Sequence, residues 1–252
     1  MIPIISTPYG EIPTFPIFIV LGVLSFLLVL HISLSKSENR AKEEEFILPR
    51  LVCSGMVAWF FAGLFDSTFK YLKYGVFEWK GITFYGGMIG AVISICALLY
   101  GTYRKKKTQY RTSEWLNIFT LPLVAFHFFG RLGCFFAGCC YGKTTDGWLG
   151  IEYPYYVDET IQYSVNRYPT QLFEASLLAA IFVISLPFKN RTTVYLLCYS
   201  VGRFFIEYLR GDDRGDFLIN LSPSQFISIL IFSFSIVLIL INGRKNKIAT
   251  AT

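Results

Sequence analysis

Seven stretches of apolar residues follow one another along the chain, each near the length of about 20 residues that a helix needs to cross the hydrocarbon of a bilayer. They run over Phe15–Leu34, Phe46–Phe65, Ile82–Tyr100, Trp115–Phe136, Pro169–Phe188, Thr193–Leu209 and Pro223–Ile241. The rest of the 252 residues forms the tails and the connections between these runs. Composition agrees: 54% of residues are hydrophobic and 16% charged, with mean hydropathy +0.49, whereas a soluble domain carries about 25% charged residues. A soluble domain, a disordered chain and a linker-rich array are all excluded. The expected fold is all-α, a polytopic membrane protein of about seven transmembrane helices forming a single domain over 1–252. No Lys or Arg precedes the first run and no small-residue cleavage site closes it, so it is expected to be a retained span and not a removed signal.

The net charge of +6 does not point to nucleic acid, because the basic residues sit in short loops between apolar runs. There they carry topology information. With the N-terminus outside, fourteen Lys and Arg fall in cytoplasmic loops and seven on the opposite side. The third connection is the richest, with Arg104, Lys105, Lys106, Lys107 and Arg111. An N-out, C-in arrangement is therefore expected. One longer connection, 138–168, is broken by Gly142, Gly147, Gly150 and Pro154 and is expected to form a small extracytoplasmic loop region between spans four and five. There is no internal repeat and no low-complexity tract.

Of the 23 basic residues, Arg50 falls near the start of the second run and is counted with the loop before it, and only Arg131 and Arg203 lie deeper within spans. An arginine deep in a span costs roughly 2.5–3.5 kcal/mol on insertion scales, so it normally faces the bundle interior or water and has a partner. Arg203, Glu207 and Arg210 fall at i, i+4 and i+7 on one helical face. His127, Arg131 and Cys134 repeat that spacing, flanked by Gly130, Gly133 and Gly138, where a backbone or ligand can approach closely. One reading is a structural ion pair between Arg203 and Glu207, with His127 a satisfied interior histidine. The other is a site. In the N-out arrangement the ends of spans four and six and the starts of spans three and five share the outer level. That level then holds Arg131, Arg203, Glu207, Arg210, Tyr85, Gly86, Gly87, Gln171 and Glu174. Two inward arginines without a matching pair of buried acids suggest an anionic ligand. A guanidinium fork binds phosphate in bidentate fashion, and a lipid headgroup supplies phosphate at that depth. Glu207 and Glu174 neutralise part of the charge. On these residues alone, a transferase, an anionic-solute transporter and a lipid-binding protein all stay open.

Cysteine usage adds one ambiguous feature. Cys53, Cys96 and Cys198 are scattered singly, against a disulfide framework, whereas Cys134, Cys139 and Cys140 cluster. The cluster reads as polarizable packing at a helix end, as a disulfide, or as a reactive thiol or metal site. Zinc usually takes four Cys or His ligands, and the chain has only His31 and His127 as histidines, so no metal is expected. No nucleotide loop or redox cofactor site is visible.

Four segments in order, GITFYGGMIG at Gly81–Gly90, GRLGCFFAGCCYG at Gly130–Gly142, RYPTQLFE at Arg167–Glu174 and YSVGRFFIEYLRGDDRG at Tyr199–Gly215, resemble the prolipoprotein diacylglyceryl transferase family. These are seven-helix enzymes of the bacterial cytoplasmic membrane. The resemblance implies transfer of a diacylglyceryl group from phosphatidylglycerol to a lipobox cysteine thiol of a preprolipoprotein, with release of glycerol phosphate. It also implies a multi-pass inner-membrane protein with its site toward the outer leaflet. A monomer is expected, needing no cofactor and no nucleic acid. The family usually has histidine at Tyr85, asparagine at Cys134, glutamate at Cys139 and a histidine at Tyr168, so the chain looks like a divergent branch in which a different acceptor is an alternative. Arg131, Gly133, Gln171, Glu174, Arg203, Glu207 and Arg210 match.

The chemistry implied is displacement at a glycerol carbon with phosphate as leaving group. Arg131 and Arg203 would stabilise the charge that builds there, ordinarily the largest catalytic contribution in a dry site. The acceptor thiol, with a reference pKa near 8.5, needs a base or the field of the arginines. Glu207 is the candidate base and Tyr85 the candidate headgroup-orienting hydroxyl. Gly86, Gly87, Gln171, Glu174, Arg210 and Cys134 are expected to line the substrate site with Arg131.

Overall fold

The computed structural model describes residues 3–7, 10–35, 37–79, 81, 84–104, 108, 110–157, 160–211 and 221–249. Among them are seven helices: α1 Thr14–Leu34, α2 Arg40–Tyr74, α3 Phe84–Arg104, α4 Thr112–Phe136, α5 Thr170–Ser185, α6 Arg191–Glu207 and α7 Pro223–Ala249. Five stretches, Thr14–Leu34, Arg40–Leu72, Gly86–Arg104, Thr112–Phe136 and Pro223–Ile241, are long and apolar enough to cross a membrane. Helices α5 and α6 have 16 and 17 residues, about 24–26 Å at 1.5 Å per residue. Helix α5 stops short of the expected Phe188, just ahead of Pro187, whereas α6 has the length expected and is shifted to begin at Arg191. Leu28, Val52, Leu72, Ile93 and Leu240 are each more than half exposed, as side chains that meet lipid would be.

Two antiparallel hairpins depart from the all-helical expectation. Strands β1 Ile4–Thr7 and β2 Gly10–Pro13 pair with Ile4 opposite Pro13. In the connection expected as loop, β3 Ile151–Val157 and β4 Thr160–Arg167 pair with Ile151 opposite Arg167 and a bulge at Tyr155/Tyr156. Both strands are rich in Tyr, Val, Ile and Thr, which suit a pleated surface better than a helix.

The chain divides into two compact units, 1–30 with 119–252, and 31–118. In the unit 31–118, α2 packs along α3. Ser54 Oγ lies 2.8 Å from Ser94 Oγ, and Thr108 links this unit's buried ends by donating to Glu43 Oε2 (3.0 Å) and accepting from Trp115 Nε1 (3.3 Å). Added Cβ atoms on Gly86 and Gly90 would come within 2.6 Å of the Phe61 carbonyl and 2.8 Å of Phe61 Cβ, so these glycines set how closely the two helices approach. The unit holding 1–30 and 119–252 contains both hairpins and α5–α7. There Val124, Leu178 and Ile181 form a buried core with Phe128, Leu177, Tyr195 and Tyr199 packed against it. Gly133 lies under Phe18, and Phe18 stacks on Phe136 at 4.8 Å.

Candidate active site

Helix α4 brings Arg131 and His127 to one side near its C-terminal end, and α5 presents Glu174 in its second turn. Arg131 Nη2 lies 2.9 Å from Glu174 Oε1, and His127 Nε2 lies 3.6 Å from the same oxygen. Tyr199 of α6 donates to that oxygen at 2.6 Å. Glu174 is only 1% exposed and also lies in the electrostatic field of Arg203. Three helices therefore converge on one carboxylate.

A second cluster forms where α6 meets α7. Arg203, 7% exposed, places Nη1 2.6 Å from Glu207 Oε2 and donates through Nη2 to Ser224 Oγ at 3.2 Å. Ser222 Oγ donates to Glu207 Oε1 at 2.9 Å, and Arg210 Nε lies 3.9 Å from Glu207 Oε2. Local sequence fixes these hydroxyls. Ser222 precedes the first residue of α7, Pro223, and its backbone N–H donates to Gln225 Oε1 at 3.1 Å while Gln225 N–H donates back to Ser222 Oγ at 3.2 Å. This is a reciprocal N-terminal cap with proline at the first helical position.

The expectation of arginines lacking matched acids is corrected: each of the two has its own buried carboxylate. Arg203 finds Glu207 one turn along its own helix, whereas Arg131 finds Glu174 across a helix pair. The first pair is not saturated: Arg131 Nε and Glu174 Oε2 are buried without a hydrogen-bond partner among the described residues, whereas Arg203 Nη1 and Glu207 Oε2 lie against each other. Buried polar groups are normally satisfied, so the unpartnered atoms of the Arg131–Glu174 pair suit a ligand. With Arg210, three guanidinium groups stand against two carboxylates.

The segment after α4 closes around these clusters. Helix α4 ends in a Schellman turn: Gly138, with φ +71°, donates from its N–H to Phe135 O, and Cys139 N–H donates back to Cys134 O, both at 3.1 Å. The first turn of α5 then holds this turn from the other side. Thr170 Oγ1 donates to Cys140 O at 2.9 Å, Gln171 Nε2 donates to Cys139 O, and Tyr153 of β3 donates to Gln171 Oε1 at 2.9 Å. Burial pushes the Tyr153 hydroxyl up to about 12. Gly142 N–H donates to Tyr168 O and Lys143 N–H to Leu209 O, both at 2.8 Å, joining this segment to the ends of β4 and α6. Only glycine fits there, because a Cβ on Gly142 would lie 2.6 Å from Leu209 O and 2.7 Å from Tyr168 Cβ.

All six cysteines are free. Hydrogen bonds from Cys134 and Cys139, with Arg210 beside it, draw the Cys140 thiol well below its ordinary range. Of the other expected site residues, Gly130 faces open space and Gly133 serves the contact with Phe18. Gly86, Gly87 and Tyr85 belong to the unit 31–118, where an added Cβ on Gly86 would also crowd Phe65 Cβ at 2.7 Å. The side chain of Tyr85 lies outside the described residues, as do Lys36, Lys80, Lys105, Lys106, Lys107, Arg214 and the 212–215 end of the last resembling segment. The sequence reading passed over Tyr199, Ser222, Ser224, Gln225 and Tyr153. Of these, the Ser222-x-x-Gln225 pattern ahead of an apolar run was a legible signal.

Residues 3–241 match the family model described as prolipoprotein diacylglyceryl transferase. The chain belongs to that family. It is 36% identical over 177 residues to phosphatidylglycerol–prolipoprotein diacylglyceryl transferase 2 of Clostridium perfringens, covering 67% of this chain and 65% of the relative. The transferase of Clostridium tetani is 34% identical over 169 residues, 62% of this chain and 64% of the relative. That of Hydrogenovibrio crunogenus is 32% identical over 145 residues, 54% and 51%. The chain thus spans just under two thirds of the length of the first relatives it matches. As a prolipoprotein diacylglyceryl transferase family member it carries the two buried arginine–glutamate pairs within the matched residues.

Proposed function

We propose that this protein transfers a diacylglyceryl group from phosphatidylglycerol to the cysteine thiol of a lipobox sequence in preprolipoproteins, releasing glycerol phosphate. The observation that carries this reading is the pair of buried guanidinium groups, Arg131 and Arg203, in the field of one carboxylate, Glu174, with the buried Arg131 Nε left without a hydrogen-bond partner among the described residues. In the reaction the thiol sulfur bonds to a glycerol carbon and the bond from that carbon to the phosphate oxygen breaks. Charge then grows on the leaving phosphate. Arginines already held in place stabilise that charge without reorganising. Glu174 orients Arg131. Glu207, its oxygens approached by Arg203 and Ser222, is the candidate acceptor of the thiol proton. Arg210 and Gln171 complete the anionic-substrate side, with Cys134 at its edge.

The same reading includes seven membrane spans, α5 and α6 among them, arranged N-out and C-in in the bacterial cytoplasmic membrane. Segment 138–168 then lies on the extracytoplasmic side, the active site faces the outer leaflet and the protein works as a monomer. Purified protein incubated with radiolabelled phosphatidylglycerol and a lipobox peptide is expected to yield a thioether-linked product, and a serine version of the peptide none. Absence of product with the cysteine peptide, in protein that is inserted and folded, would overturn the reading. A second reading, the same donor with another acceptor, is favoured by Tyr85, Cys134, Cys139 and Tyr168 standing where the family usually has other residues. Consumption of phosphatidylglycerol without modification of the peptide would select it.

A further inference from the structure

Cys134, Cys139 and Cys140 make or break no bond in the transfer above, Cys134 standing only at the edge of the substrate side, yet their three Sγ atoms all lie within 4.8 Å of one another. Chain spacing alone does not produce this. The Schellman turn folds Cys139 back over Cys134, so that Cys139 Sγ also reaches Cys134 O at 3.6 Å. Cys140 then adopts φ +63°, the left-handed region that a side chain rarely enters. Among the described residues it is the only non-glycine residue with positive φ. Such backbone is costly and persists where its surroundings fix it. Here the carbonyls of both Cys139 and Cys140 are gripped by Gln171 and Thr170.

We propose that Cys134, Cys139 and Cys140 form a three-thiolate site for one thiophilic monovalent cation of the Cu+ type. Soft thiolate ligands select such ions. Zinc favours four ligands, and the cluster offers three, a number that Cu+ accepts readily. Three thiolates around one monovalent cation leave two negative charges, and the guanidinium of Arg210 beside Cys140 offsets one of them. Cys139 is exposed while Cys134 and Cys140 are partly buried, so an ion enters past Cys139 and settles between the other two. Binding forms three metal–sulfur bonds and releases the remaining thiol protons to solvent, with no change of oxidation state.

The test uses full-length protein in detergent, reduced and stripped of metal, titrated with Cu+ against a chromophoric Cu+ chelator. Retention of one ion per chain is expected, with a thiolate-to-copper absorption band in the ultraviolet and three sulfur neighbours by X-ray absorption. Each of C134S, C139S and C140S should lose affinity by at least the roughly 10–100-fold that loss of an outer contact costs a metal site. The C53S/C96S/C198S variant should bind as the wild type does. C139S alters the most exposed of the three, so it reports on binding even if C134S fails to fold. The proposal is overturned if no ion is retained, if Zn2+ at equal concentration displaces the copper, or if C139S binds unchanged. It is equally overturned if alkylation of air-equilibrated protein, kept free of added oxidant, shows two of the three thiols already joined in a disulfide.

Discussion

Arg131 Nη2 lies 2.9 Å from Glu174 Oε1, an ion pair made between α4 and α5 with the carboxylate almost entirely out of solvent. Tyr199 donates to the same oxygen from α6. Such a pair serves position more than stability, because desolvation offsets most of the attraction between the charges. Removing one partner is another matter, since the survivor is left buried and uncompensated.

Arg131→Ala should therefore destabilise the protein by about 3–5 kcal/mol as well as abolish transfer. The Arg131→Ala/Glu174→Gln double variant removes both charges and should recover most of the lost stability but no transfer. Thermal unfolding in detergent, set beside the radiolabelled assay, separates the two effects. Transfer restored in the double variant would count against a role for Arg131 at the phosphate.

Arg203 holds Glu207 with one terminal nitrogen and Ser224 with the other. Lysine keeps the charge but is a point donor without the planar fork. Arg203→Lys should leave unfolding nearly unchanged and lower turnover by about 10²–10³-fold, the range for losing one oriented donor in a dry site. Turnover within a few-fold of the wild type would show that charge alone suffices.

Ser222 does two things at once, capping α7 and donating to Glu207 Oε1. Ser222→Ala should cost about 0.5–2 kcal/mol, as loss of a helix cap does, and should lower turnover. Gln225→Ala breaks only the capping side and should reproduce the stability loss with a smaller effect on turnover. Equal turnover losses in both variants would show that the bond to Glu207 is immaterial.

Tyr153 carries a pH signature. Burial raises its hydroxyl to about 12 from an ordinary value near 10, so the folded state prefers the neutral phenol. That contribution is whole below about pH 10 and is lost as pH climbs through about 12. Wild-type protein should therefore lose unfolding temperature more steeply over that range than Tyr153→Phe does. Parallel curves would place the alkaline loss in another group.

The seven apolar runs appear as seven helices with starts and ends close to those expected, because a twenty-residue apolar stretch has few other ways to bury its backbone polar groups in lipid. Helices α2 and α7 are the exceptions. The first begins at Arg40 and runs to Tyr74, 35 residues, since the Lys, Glu, Arg and Ala residues before Phe46 favour helix and no glycine or proline lies between Phe65 and Gly75 to stop it. The second continues past Ile241 to Ala249. The β3–β4 hairpin was readable from its Tyr, Val and Ile content, and was hidden only by the expectation that everything between spans is loop.

Within the site, the pairing of Arg203 with Glu207 follows from residue spacing, as two positions four apart on a helix meet by geometry alone. The chain's own order of residues likewise determined the cap of α7 and the Schellman turn after α4, both of which are local patterns. What only the tertiary structure decided is which separate helices meet. Glu174 reaches Arg131 from 43 positions along the chain, and Ser222 and Ser224 reach Glu207 and Arg203 from the next helix. Nothing periodic in a sequence encodes such meetings, because they depend on how side chains from different helices pack around Leu178 and Val124, a fit of shape that exists only once the helices are together.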